Sequence, residues 1–290
     1  MVSPTARRLA LGVLLKKNFS LRLSSKVVGL SRNAAKYTPK DPCPRLRQEV
    51  IRLSEENPSF GYRRIHALLG GVNLKSVHRI WKEEGLSQRV RKVKRILVGE
   101  VPPLVIERPN QVWSIDFCTE RLENGRHVRI LAILDAHTRE CLCLKPAGSF
   151  RGYDLKKELD WLFLVRGKPE VLRSDNGPEF RSKVVEEFLQ SQGVAQGFIK
   201  PGSPWQNGHI ESFFGKLRFE VLNRELFPKL KDLERRLCEA IDSYNNLRPH
   251  SALGNIPPSK FAAGYRESGR TSSSLLPYNP TKNILKEVSI

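Results

Sequence analysis

Cysteine is sparse in this chain, and none of it falls in a metal-binding pattern. Cys43, Cys118, Cys141, Cys143 and Cys238 are odd in number and form no CxxC pair, which argues against both a zinc site and a disulfide framework and fits a reducing cytosol. Long hydrophobic runs are missing as well. The strongest candidate, LALGVLL at 9–15 behind Arg7 and Arg8, is too short to span a bilayer and has no small-residue cleavage site after it, so it reads as part of a helix. Acid is scarce in the front third. Residues 1–100 hold 22 Lys and Arg against 7 Asp and Glu, whereas residues 101–290 hold 28 against 23, within a net charge of +20. Clustered cations of this kind neutralise phosphates and release their counterions, so nucleic acid is the expected partner and a membrane is not. A cytoplasmic, nucleoid-associated protein is implied.

At 290 residues the chain can bury a real core and is expected to fold as more than one domain. Residues 1–44 read as an N-terminal helical segment, with Gly29 turning between two short helices and Ser31 capping the second. Residues 45–88 form a helix-turn-helix-like unit. RLRQEVIRLSEENP stops at Pro58, GYRRIHALLGG at Gly70 and Gly71, and NLKSVHRIWKEEGL is capped by Asn73, ends at Gly85 and puts Leu74, Val77 and Trp81 on one face. Arg63, Arg64, Lys75, Arg79 and Lys82 on these helices suit DNA, although a basic helical face is often only solvated. Residues 89–108 form a basic linker in which Arg89, Arg91, Lys92, Lys94 and Arg95 can lie along a phosphate backbone.

Beyond Pro109 the period changes to strands. QVWSIDFCTE, HVRILAILDAHT after the Asn124-Gly125 turn, and ECLCLKP make an antiparallel meander. A helix over 151–166, a strand in VLRSD, a helix in RSKVVEEFLQSQ and a strand in VAQGFIK follow, which together indicate a mixed five-stranded sheet with flanking helices. The helix at 229–245 and RPHSALG close this domain, placed at 109–265. Residues 266–290 read as a tail.

The acids within this pattern are unusual. Asp116 stands between Ile115 and Phe117 inside a strand, where a carboxylate is expected only if it faces a site. Asp175 ends the fourth strand, in SDNGPEF. A structural alternative makes it the N-cap of a helix beginning near Pro178, with Gly177 at positive φ. Glu211 follows PGSPWQNGHI at the start of a helix. Strands one and four can be neighbours in a sheet of this order, which would bring Asp116 and Asp175 together; 58 residues separate these two, and 35 separate Asp175 from Glu211.

With WSIDF, SDNGPEF, PGSPWQNGHIES, GYRRIHALL, DAHTREC, ESFFGKLR and YNNLRPHSALG in hand, the chain resembles the DDE transposases of two-frame bacterial insertion sequences, whose second reading frame encodes a retroviral-integrase-like core. The resemblance runs nearly end to end. It implies an RNase H-like fold in which Asp116, Asp175 and Glu211 hold two Mg²⁺ or Mn²⁺ ions, since hard cations prefer carboxylate oxygens and two of them can stabilise both the attacking and the leaving oxygen. It further implies cleavage at the 3′ ends of an element, attack of the freed 3′-hydroxyl on target DNA, a homo-oligomer on double-stranded DNA, and an upstream-frame protein as fusion partner. Arg218, seven residues after Glu211, and Lys216 are expected on DNA phosphates. Trp205 either stacks on a displaced base or packs under a loop, and His209 and His250 are structural. Ala136, Phe214 and Phe219 stand where this family more often carries an acid, an Asn and an acid, and the zinc-binding His/Cys unit of retroviral integrases is missing. The alternative function is a DNA-binding regulator or a remnant that no longer cuts.

Overall fold

A computed structural model describes residues 4–36, 43–87, 106–199 and 207–267. The basic run with Arg89, Arg91, Lys92, Lys94 and Arg95, Trp205, and the tail from 268 lie outside the described residues. The chain divides into two compact units, Met1–Glu49 and Val50–Ile290. In the first, the apolar stretch at 9–15 lies in α1 (Pro4–Lys16), followed by α2 (Leu21–Val28) and α3 (Arg32–Lys36). Ser20 caps α2 by accepting from the Leu23 N–H at 3.3 Å. Gly29, at φ 66°, ends α2 in the left-handed conformation that glycine adopts without a Cβ penalty. Ser31 caps α3, accepting from the Ala34 N–H at 3.2 Å. The division between the units falls inside α4 (Pro44–Glu56).

In the second unit α5 (Tyr62–Leu69) packs on α6 (Leu74–Glu83). Asn73 caps α6 as expected, its side chain accepting from the Lys75 N–H at 2.8 Å. The buried stripe differs from the expected one. Val77, Ile80 and Trp81 are buried, but Leu74 is 39% exposed, because the covered face begins a turn further on and Ile80 completes it.

Five strands follow: β1 (Val112–Arg121), β2 (His127–Asp135), β3 (Cys141–Ala147), β4 (Val171–Ser174) and β5 (Ala195–Phe198). Their spatial order is β3-β2-β1-β4-β5. β1 runs antiparallel to β2 and β2 to β3, whereas β4 runs parallel to β1 and β5 parallel to β4. The expected mixed sheet, with strands one and four as neighbours, is therefore observed. α7 (Gly152–Arg166) joins the meander to β4, and α8 (Lys183–Ser191) joins β4 to β5. α9 (Gly208–Leu217), α10 (Leu230–Asn246) and α11 (Pro258–Glu267) complete the described residues.

Alternation along β1 sorts its side chains between two helical layers. Trp113 and Ile115, with Phe117 at the margin, pack with Leu155, Leu159 and Phe163 of α7 and Val185 and Leu189 of α8. Cys118 faces the other way, with Ile210, Phe213 and Leu217 of α9 and Leu233, Leu237 and Tyr244 of α10. Two-residue periodicity puts Asp116 on that second face with Cys118. β2 is buried almost throughout because both of its faces are covered. The apolar positions of α10, Leu233, Leu237, Ala240, Ile241 and Tyr244, recur at helical spacing and are all buried. Each large one contributes roughly 1.5–3 kcal/mol by leaving water.

Candidate active site

Pairing in the sheet assembles the first two acids. Ser114 of β1 lies beside Arg173 of the parallel strand β4. Two residues further on stand Asp116, inside β1, and Asp175, the first residue after β4. α9, which carries Glu211 in its first turn, packs against β1 and β2 on the face that Asp116 shares. The carboxyl of Asp116 is half-buried, and one of its oxygens accepts the Phe117 N–H at 2.7 Å. Its pKa is pushed up to about 6, first by desolvation, against the pull of the Phe117 N–H, and then by the charges of Asp175 and Glu211; Arg129 acts in the opposite direction. Asp116 thus feels both of the other acids.

Asp175 does not cap a helix. Residues 178–181 form a turn, α8 begins only at Lys183, and Gly177 is absent from the positive-φ residues. Instead the Asp175 carboxylate accepts the Gly177 N–H at 2.9 Å. This local Asx turn ends the strand and competes with helix formation over the next residues. The side chain is exposed, as is that of Glu211. A Cβ added at Gly177 would come within 3.0 Å of an Asp175 oxygen and 3.1 Å of a Glu179 oxygen, so this glycine lets two carboxylates approach one point of the backbone.

Glu179 and Arg129 were not singled out from sequence. They form a salt bridge, and the Arg129 guanidinium lies 4.1 Å from the centroid of the Phe117 ring. Phe117 stacks on Phe180 at 5.3 Å. For Glu179, burial raises the pKa, but the hydrogen bond and charge of Arg129 together with a backbone N–H outweigh it and the net shift is downward. The available signal was Arg129 set between the buried Val128 and Ile130, because a cation partly covered by apolar neighbours is expected to be paired.

A cation site can be tested against the donors themselves. Three carboxylates are the hard oxygen ligands that Mg²⁺ or Mn²⁺ takes, and a cation would relieve the mutual repulsion that raises Asp116. Yet among the described residues no group of three His, Cys, Asp or Glu side chains is gathered closely enough to hold a metal ion. The donor set fits in kind, while the three acids share a field without forming a closed coordination shell.

The expected DNA contacts divide into two sets. Arg63, Lys75, Arg79 and Lys82 are exposed on α5 and α6, with Arg79 only 3.8 Å from Glu83. Arg64 is turned inward instead, donating to Glu220 at 3.3 Å. Lys216 is half-buried, with its Nζ 3.4 Å from His250 Nε2. Arg218 is exposed; α9 ends at Leu217, and Arg218 opens a π-helical turn, Arg218–Leu222. Its charge acts on the Cys118 thiol, two positions beyond Asp116 on the same strand face. Phe214 occupies a core position against Phe213, Ala136 is buried, and Phe219 is 50% exposed. Burial pushes His209 down to about 4, with Arg139, Arg173 and Lys216 adding to the effect.

The integrase core domain family matches residues 106–204, and a second integrase core domain family matches residues 192–258. An uncharacterized 39.2 kDa protein of insertion element IS476 from Xanthomonas euvesicatoria is 35% identical over 288 residues, covering 96% of this chain and 82% of that protein. Transposase InsD of insertion element IS2 from Escherichia coli is 28% identical over 228 residues, covering 71% of this chain and 74% of its own length. Among solved structures, the catalytic core domain of HTLV-2 integrase in complex with magnesium superimposes with a TM-score of 0.40 at 18% identity, over 53% of this chain and 96% of that one.

Proposed function

The chain belongs to the insertion-element transposases with an integrase core domain, and from that premise we propose that it cleaves DNA strands at element ends and transfers the freed 3′-hydroxyl into target DNA. The observation that supports this reading is the shared field of the acids: Asp116 and Asp175 each follow by two residues the paired Ser114 and Arg173, and the Asp116 carboxyl responds to the charges of both Asp175 and Glu211. Residues 109–265 are the proposed catalytic domain and residues 45–88 the DNA-reading module. Double-stranded DNA is both donor and target.

Asp116, Asp175 and Glu211 would hold two Mg²⁺ or Mn²⁺ ions, which supply Lewis-acid stabilisation of the phosphate under attack and activate the attacking oxygen. The side chains prepare for this in different ways. Asp116 is fixed by its strand and by the Phe117 N–H, so its orientation costs little at the moment of reaction. Asp175 is held through the Gly177 N–H while its side chain stays open to solvent. Glu211 stands in the first turn of α9, where the helix dipole favours negative charge. Arg218 would hold a phosphate of the element end. No side chain needs to form a covalent bond, because water and then a DNA 3′-hydroxyl provide the attacking oxygens.

Asp175→Asn tests the assignment. An Asn oxygen can still accept the Gly177 N–H, so the turn and the melting temperature should be kept. Mg²⁺-dependent nicking of a duplex carrying the element's own terminus should fall by more than about 100-fold, beyond the loss usual for a residue outside a metal's direct ligands. Equal nicking by parent and variant would make Asp175 a turn residue only.

A further inference from the structure

We propose that Arg139, Lys216, Arg248 and His250 form a pocket for one phosphate group of bound DNA, separate from the three acids. The inference rests on the reading that the chain handles DNA. Three segments distant in sequence supply it. Lys216 comes from α9, five residues beyond Glu211 and so on another face of that helix. His250 follows α10, and its Nε2 lies 3.4 Å from the Lys216 ammonium. Arg248, 3% exposed, donates to both oxygens of Glu220, at 2.8 and 2.6 Å, and lies 5.7 Å from the Tyr244 ring centroid. The Tyr244 and His250 rings meet edge to face at 6.4 Å. Arg139 sits in the β2–β3 turn at φ 63° and acts electrostatically on Lys216, His250 and Tyr244.

Two features point to a missing anion. The first is unspent donors: Nε and Nη1 of Arg139 and Nδ1 of His250 are buried without a hydrogen-bond partner. Buried groups of this kind are rarely left so unless something outside the fold satisfies them. The second is charge. Arg64, Arg139, Lys216 and Arg248 meet here, and the acids that answer them are Glu220 and Asp135. Glu220 already accepts from Arg248 and Arg64, and the two oxygens of Asp135 already accept the N–H groups of Asn110, His137 and Thr138. The pocket is left net positive.

The donor geometry fits a phosphate. The free N–H groups of Arg139, Nε and Nη1, lie on different edges of the guanidinium, so each offers a single charged donor, and the Lys216 ammonium adds one from another direction. Supporting this, burial and then the neighbouring cations Arg248 and Arg64 push Lys216 down to about 8, and an entering anion would offset the repulsion of those cations.

Arg139→Gln and Lys216→Gln in the full chain, with metal chelated, test the pocket. Three quantities are read: melting temperature alone, melting temperature with added inorganic phosphate at fixed ionic strength, and the slope of log affinity for a duplex against log salt. The parent should be stabilised by inorganic phosphate. Each variant should melt no lower than the parent, because an uncompensated charge has gone, should lose the phosphate effect, and should have a salt slope about 0.9 shallower. If Arg139→Gln fails to fold, Lys216→Gln decides alone.

Unchanged phosphate response and unchanged slope would overturn the pocket. Phosphate protection that disappears in the variants while their duplex slope stays at the parent's value would also overturn it, because the site would then take a free anion and not the DNA backbone. A parent that binds no duplex would instead sink the DNA reading itself. Cleavage is not measured, so the outcome for Asp175→Asn is independent.

Discussion

Asp116 is a carboxylate in a strand whose neighbours Ile115 and Cys118 are buried, and its charge works against the fold. Its pKa is raised from 3.8 to about 6. With the folded value above the unfolded one, the stability this group contributes is fully present below pH 3.8 and is lost as pH rises through about 6. Asp116→Asn should therefore melt a few degrees above the metal-free parent at neutral pH, and the two curves should converge in the acid range. Added Mg²⁺ should stabilise the parent more than the variant, because only the parent keeps the full ligand set. Identical melting at all pH values would mean that Asp116 is not under strain. This residue was legible in sequence because an acid inside an apolar alternation has few structural explanations. Arg139 was not legible: its place beside Lys216 and His250 depends on a left-handed turn conformation and on two segments far away in sequence, none of which periodicity encodes.

Strands and helices were legible almost throughout, since their alternation and spacing are local properties. Where a boundary shifted, a competing local interaction was responsible, as when the Asp175 turn delays the helix to Lys183. What sequence could not reveal is how one element is tied to another. Arg166, the last residue of α7, donates to Glu140 next to β3 at 2.8 Å, and both side chains are only 7% exposed. Such a pair need not be stabilising relative to an apolar substitute, but breaking it leaves an uncompensated buried charge. Glu140→Gln or Arg166→Met alone should cost about 3–5 kcal/mol, read as a lower urea midpoint. The double replacement should recover much of that loss. If each single variant unfolds at the parent's midpoint, the pair carries no structural weight.

Charge along the whole chain is the broadest signal, and the structure shows that it has two uses. The net charge is +20, with most of the excess in the first 100 residues. Arg63, Lys75, Arg79 and Lys82 face solvent on α5 and α6. Arg64, adjacent to Arg63 in sequence, is bound instead to Glu220, a carboxylate 156 residues away that also serves Arg248. Counting basic residues cannot separate these roles; the slope of affinity against salt can. If the run at 89–95 lies on DNA backbone, neutralising Arg89, Arg91, Lys92, Lys94 and Arg95 should weaken binding to every duplex sequence and flatten the slope by about 0.9 for each phosphate no longer neutralised, up to about 4 to 5 in all. Arg64→Gln should do the opposite on both counts: the slope should stay at the parent's value, while the melting temperature falls because Glu220 loses one of its two cationic partners. A flattened slope for Arg64→Gln would move that residue from the internal set to the DNA-facing set. An unchanged slope for the five-residue variant would remove the linker from the DNA interface and leave the exposed faces of α5 and α6 as the candidate surface.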